Sequence, residues 1–299
     1  MNIILMGTGT SNGIPAITCH CAVCSSHYKK DKRLRTSAYI VAKDGTSIVI
    51  DTGPDFRIQA LTYDICKLDA LLITHSHADH LHGLDDVKVF SSSLVKKHAA
   101  DPKMYSAQRH QTLKLYSNHQ TILDIKSRFN YIFKQTQEGG GKPHLTLIDV
   151  GDYHEILSKK EYLKTFTIGC LQITPIPMKH GSLPVCGWKI TDTYTKKTFG
   201  YLTDCNYIPH ESIQCIKGAD CIVIDALREK KHPTHCSFEE SYQYVQQIRA
   251  KQSWVTHMSH AHGHKEIIAW FKNREKTDKK NNKKPIRCRP AWDGLSIKL

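Results

Sequence analysis

The 299-residue chain is 40% hydrophobic and 23% charged, enough apolar material to bury one large core as a single domain over residues 1–299. No run of eighteen apolar residues occurs, so no membrane-crossing helix is expected, and the opening residues read as a strand rather than a basic-then-apolar leader. The formal net charge of +14 favours anionic partners, and eleven cysteines, an odd number in a long chain, read as reduced thiols of a cytosolic protein rather than a secreted disulfide scaffold.

In chain order, a strand-like segment at Ile3–Leu5 runs into Met6-Gly7-Thr8-Gly9-Thr10. Cys19-His20-Cys21-Ala22-Val23-Cys24 then packs three thiols into six residues, and three cysteines with one distant histidine make a closed tetrahedral zinc site. A second strand-like run, Ile48–Ile50, ends in Asp51-Thr52-Gly53. The apolar run Leu68–Ile73 reads as a buried strand emptying into a loop, His75-Ser76-His77-Ala78-Asp79-His80. Three imidazoles and a carboxylate so close together are expensive to place without a cation, and zinc, manganese or iron accept that nitrogen and oxygen mixture.

The segment 91–165 carries no sharp motif and reads as an insertion near the mouth of a site, with a break at Glu138–Pro143 that lacks the residues of a phosphate-binding loop. Beyond it, three β-rich runs each lead to a ligand-type residue: Ile173–Met178 to His180, Phe199–Thr203 to Asp204, and Ser253–Thr256 to His257. Strand ends can share one rim of a sheet, so these residues can join the six-residue motif. An amphipathic stretch, Phe238–Ile248, predicts a helix that Thr234 or Ser237 would cap. From Lys272 to Arg289 a basic run begins as the solvent face of a helix containing Ile267, Ile268, Trp270 and Phe271, and continues as a loop through Asn281 and Asn282. It attracts phosphates without marking a base-stacking surface.

Ile3–Thr10, Ile48–Gly53, the His75–His80 motif and Asp293–Ile297 together resemble the metallo-β-lactamase superfamily over nearly the whole chain. The resemblance implies an α/β (α+β) fold, the four-layer αββα sandwich, with two divalent cations (zinc or manganese) at one edge. By that resemblance His75, His77 and His180 hold one cation, Asp79, His80 and His257 the other, and Asp204 bridges both, so that Asp79 and Asp204 take part in catalysis. Asp51 is expected to orient a ligand rather than to be one. Gly83–Asp86, Ile224–Arg228 and His232–Ser237, with the cysteine loop, are similar to the phosphoribosyl 1,2-cyclic phosphate phosphodiesterase subgroup. That similarity implies a structural zinc held by Cys19, Cys21, Cys24 and His260, and a catalytic His235, whose imidazole can protonate a leaving alkoxide. His20 is the weaker zinc ligand, and His232 the weaker catalytic choice.

The implied activity is hydrolysis of a small cyclic phosphodiester. The runner-up is a tRNA 3′-processing endonuclease of the same superfamily, and a third class is a non-catalytic, metal-stabilised nucleic-acid-binding protein. A homodimer is compatible with the sequence, nucleic acid is not the favoured partner, and no membrane is expected.

Overall fold

The computed structural model describes residues 1–91, 112–135, 141–151 and 164–299. Among these residues two seven-stranded sheets face each other. The first contains β1 (Asn2–Gly7), β2 (Ser37–Val41), β3 (Ser47–Ile50), β4 (Ala70–Leu72), β5 (Leu113–Ser117), β6 (Leu145–Asp149) and β14 (Leu295–Lys298), in the order β14-β1-β2-β3-β4-β5-β6. The second contains β7 (Phe166–Ile168), β8 (Leu171–His180), β9 (Leu183–Asp192), β10 (Thr198–Leu202), β11 (Cys221–Asp225), β12 (Gln252–Thr256) and β13 (Cys288–Pro290), in the order β13-β12-β11-β10-β9-β8-β7. In each sheet an antiparallel half joins a parallel half: β3 to β6 run parallel in one, β10 to β13 in the other.

The period-two alternation of strands explains why there are four layers. Ile3, Leu5, Ile48 and Ile50 from the first sheet meet Ile173, Trp188, Phe199, Tyr201 and Val223 from the second in one inter-sheet core. The intervening residues turn outward. Val49, Leu71 and Leu115 pack beneath α1 (Phe56–Thr62) and α4 (His119–Arg128). Leu202, Ile222, Ile224 and Val255 pack beneath α6 (His210–Ile216), α7 (Phe238–Ile248) and α8 (His264–Lys280). Parallel strands covered on both faces must be apolar throughout, which is why Ala70–Leu72 and Cys221–Ile224 are buried at every position. Each fully buried large side chain of this kind contributes about 1.5–3 kcal/mol. The layers are the expected αββα sandwich.

Local expectations meet different outcomes. Ser237 caps α7, its hydroxyl accepting from the Glu240 amide at 3.3 Å within a capping box; Thr234 does not. The His75–His80 motif is not a loop throughout: α2 (Ala78–Leu81) starts inside it with His77 at its N-cap. From the segment 91–165, residues 113–117 and 145–149 form β5 and β6, and Ile122 and Ile125 of α4 are buried in the core. The rest of that expected insertion, 92–111, 136–140 and 152–163, lies outside the described residues. Two short helices, α3 (Lys88–Ser91) and α5 (Asn130–Phe133), flank it. No described helix is long and apolar enough to cross a membrane.

Candidate metal centre

The parallel strands β3, β4, β10, β11 and β12 all end on one rim, and each delivers a polar residue there: Asp51, His75, Asp204, Asp225 and His257. Carboxyl ends of parallel strands are where such folds place their ligands. Three of these residues, Asp51, Asp204 and His257, adopt left-handed backbone with φ of 63°, 52° and 58°. Such conformations are costly for non-glycine residues and persist where the surroundings over-determine them. Gly53 lets the chain pass close beside the motif: a Cβ there would lie 1.9 Å from the Asp79 carbonyl oxygen.

The sequence-predicted ligands converge in two groups, His75 with His77 and His180, and Asp79 with His80, Asp204 and His257, the donor atoms of each group lying within 4.8 Å of one another. Ligands about 2.1 Å from a tetrahedral cation sit about 3.4 Å from each other. In the second group His80 Nε2 is 3.1 Å from both Asp79 Oδ2 and Asp204 Oδ2, and His257 Nε2 is 3.4 and 3.2 Å from the same two oxygens. Those are tetrahedron edges. Asp204 Oδ2 also lies 3.8 Å from His75 Nε2 in the first group, so one carboxylate faces both. Among the described residues the buried Nε2 atoms of His75 and His80 have no hydrogen-bond partner, so their lone pairs are available to a cation.

The surrounding bonds fix which nitrogen faces inward. His80 Nδ1 lies 2.7 Å from Asp51 Oδ2, and Asp51 is itself held by the Thr74 amide (2.8 Å) and hydroxyl (2.9 Å). His180 Nδ1 donates to the Thr234 carbonyl at 2.6 Å. The Thr203 hydroxyl donates to Asp204 Oδ1 at 2.8 Å, leaving Oδ2 for the centre. Ser76 donates to Asp124, and Arg128 donates to the Ser76 carbonyl, so α4 clamps the motif from outside. Partners of this kind orient metal ligands.

Burial pushes His75 well below the usual imidazole range and also lowers His180, which keeps both neutral, the form that ligates. Burial opposes ionisation of Asp204, yet His257 and His80 hold it well below the carboxylate range. Burial likewise opposes a charged His80, but Asp204, Asp79 and Asp51 push it well above its ordinary value. A cation between these carboxylates would satisfy the same excess of negative charge. The donor set fits divalent metal.

His235 stands beside the centre, its ring 4.4 Å from that of His180 and stacked 4.7 Å from that of His257. Its Nδ1 is 2.8 Å from Asp225 Oδ2, which also accepts from the Cys205 amide at 2.9 Å. Burial disfavours the imidazolium, but Asp225 outweighs it and raises His235 to about 9. Asp225 had no role assigned from sequence. Its signal was a carboxylate ending an otherwise apolar strand. His232 lies 5.2 Å from His235, ring to ring, and contacts Thr234 instead.

Cys19, Cys21, Cys24 and His260 form a separate cluster. Their sulfurs lie 3.3, 3.4 and 3.6 Å from His260 Nδ1, against an edge of about 3.6 Å for thiolate and imidazole on one tetrahedral zinc. The Cys24 amide and then His260 lower Cys21 to about 6, giving it thiolate character. His20 is exposed and outside the cluster. The loop is stitched to the active rim by the buried Arg33, which donates to the Ser259 and His262 carbonyls at 2.8 and 3.2 Å, and by the Thr10 amide, which donates to the Met258 carbonyl at 3.2 Å. None of the eleven cysteines, all of them among the described residues, forms a disulfide.

A sandwich of this form with histidines and aspartates gathered at the strand ends defines a metal-binding class of fold in which hydrolases predominate. The chain belongs to the β-lactamase superfamily, in its metallo branch: residues 46–258 match the family's Beta-lactamase superfamily domain. A protein of Porphyromonas gingivalis named octanoyltransferase is 35% identical over 261 residues, 87% of this chain but 46% of that protein, so the chain spans about half of that relative's length. A solved structure described as a new diphosphatase from the PhnP family is 32% identical, with a TM-score of 0.75, over 99% of this chain and 96% of the other. The short form of human tRNase Z shares the fold at 15% identity, with a TM-score of 0.64 over 100% and 99% of the two chains.

Proposed function

We propose that this protein is a metal-dependent phosphodiesterase acting on a small cyclic phosphate ester. The observation that carries this reading is Asp204 Oδ2, placed 3.1–3.8 Å from His80, His257 and His75 at once, so that one carboxylate serves two adjoining donor groups. His75, His77 and His180 would hold one divalent cation and Asp79, His80 and His257 the other, zinc or manganese matching the donor set. Bound there, the pair would supply Lewis acidity toward phosphoryl oxygens and a water acidified toward neutral pH.

The chain's own residues do the rest. Asp225 fixes the tautomer of His235 and holds it protonated, so Nε2 carries a proton available to the departing sugar oxygen. Asp51, Thr74 and Thr234 keep the ligand rings aimed. The likeness to a PhnP-family diphosphatase supports a phosphate-ester substrate and favours a phosphoanhydride as the second reading. Likeness to tRNase Z is at the level of the fold, so precursor tRNA ranks below both. Octanoyl transfer is not carried over, because that name belongs to a protein of which this chain matches 46%.

The test is a panel with zinc- or manganese-loaded protein: ribose 1,2-cyclic phosphate, 2′,3′-cyclic nucleotides, an organic diphosphate and precursor tRNA. Turnover highest on a cyclic phosphate supports the proposal. Turnover confined to the diphosphate or to precursor tRNA replaces it with that reading.

A further inference from the structure

On the outer helical layer, α8 carries Lys272, Lys276, Lys279 and Lys280 at spacings i, i+4, i+7 and i+8, which place them in one stripe. Lys283 and Lys284 extend it into the following turn, where the Lys283 amide donates to the Asp278 carbonyl at 2.9 Å. All six lysines are exposed, and none has an ion pair among the described residues. The neighbouring acids are committed elsewhere. Glu275 binds Arg289, Glu239 binds Arg274 at 2.8 Å, and Asp278 accepts from Arg274, Tyr242 and Gln246. Like charges at i, i+4 repel on a helix. The helix C-terminus accounts for Lys279 and Lys280, but not for Lys272, Lys276, Lys283 or Lys284.

A second feature adjoins the stripe. An open groove between α6 and α7, with a volume of about 590 Å³, is lined by amides and cations, among them Gln243, Gln246, Lys217 and Arg249, with no carboxylate among its lining residues. Gln246 ties the groove to α8, since its Nε2 donates at 2.7 Å to Asp278, one residue before Lys279. The C-terminal end of the stripe lies away from the metal centre. Cys288 pairs with Ser253 near the start of β12, whereas His257 follows the end of that strand, so the 281–287 turn sits at the opposite end of the strands.

We propose that this face of α7 and α8 binds the phosphate backbone of a nucleic-acid duplex, independently of the catalytic reading. Lysine ammoniums and glutamine amides are phosphate-contacting groups. The groove has one apolar lining residue, Ile213, which leaves out the dry apolar centre of a protein interface. Its lining residues include no Phe, Tyr or Trp, and His210 alone offers a ring to an unpaired base, which favours a duplex over a run of stacked single-stranded bases.

The experiment measures anisotropy of a labelled RNA duplex of about 20 base pairs with the full chain, across about 50–200 mM salt. Lys272, Lys276, Lys279 and Lys280 are replaced together by Gln in one variant. A control variant replaces the exposed Lys43, Lys114, Lys126 and Lys134, with the same change in net charge. Every phosphate that is no longer neutralised should make the plot of log affinity against log salt shallower by about 0.9, so the stripe variant should lose about 3 to 4 units of slope and the control under about 1. Circular dichroism and melting temperature confirm that both variants are folded. Equal losses in the two variants, unchanged binding by the stripe variant, or equal stripe-dependent binding to a polyglutamate peptide or to phosphatidylserine vesicles would overturn the proposal.

Discussion

If His235 is the proton donor, its value depends on how badly the leaving group needs a proton, and that dependence can be measured. The Asp225 carboxylate lies 2.8 Å from His235 Nδ1 and raises the imidazole from 6.5 to about 9 against the effect of burial. At about pH 7.5 such a group is mostly protonated. Asp225→Asn removes the charge that opposes burial, the ring falls below its ordinary value, and less than about 10% remains protonated. With an alkoxide leaving group, as in a ribose cyclic phosphate, the rate should fall at least about tenfold in Asp225→Asn. In His235→Ala it should fall on the order of 10²–10⁴. Bis-p-nitrophenyl phosphate releases a phenolate that is stable without protonation, so both variants should stay within about tenfold of the parent on it. The assay is kcat/KM on both substrates with metal content measured in parallel. Equal losses on the two substrates, or loss of metal on substitution of His235, would refute a proton-donor role and make His235 a ligand or a structural residue.

Asp204→Ala should lose turnover more completely than removal of any exposed lysine and should lower metal occupancy of both donor groups, since Oδ2 faces both; near-normal activity with both metals retained would sink the bridging role. Cys21→Ser should release one thiolate-bound zinc and lower the melting temperature by at least about 5 °C, at about 2–4 °C per kcal/mol for a domain of this size. Absence of thiolate-coordinated zinc in the reduced parent protein would end that proposal. Asp293 is raised by burial from 3.8 to about 7, although the Leu34 amide and Thr8 hydroxyl hold it at 2.6 and 2.8 Å. The folded state therefore holds this proton more tightly than the unfolded chain, and the stability it contributes is present below about pH 4 and lost as pH rises toward 7. Measured by denaturant, the stability of the parent minus that of Asp293→Asn should fall by up to about 1.4 kcal/mol per pH unit between about pH 5 and 7, and a flat difference would contradict it.

What the sequence determined by itself is local in origin. The strand periodicities of Ile48–Ile50 and Leu68–Ile73, the density of imidazoles in His75–His80 and the thiol spacing of Cys19–Cys24 are each visible within a few residues, because alternation and ligand chemistry act at short range. The ligand types at His180, Asp204 and His257 were legible because each ends a β-rich run. Other features were decided only by packing. Asp225 becomes the partner of His235 because β11 ends beside the turn that precedes α7, and Arg33 becomes the tie between the cysteine loop and the 259–262 turn across more than 220 residues of chain. Residues 113–117 and 145–149 look unremarkable alone; the first becomes a strand on the parallel edge that β4 offers, and the second on the edge that β5 then offers. The inward-facing nitrogens of His80 and His180 are likewise tertiary information. Asp51 and Thr234 select them through Nδ1, and neither is a neighbour in sequence of the histidine it orients.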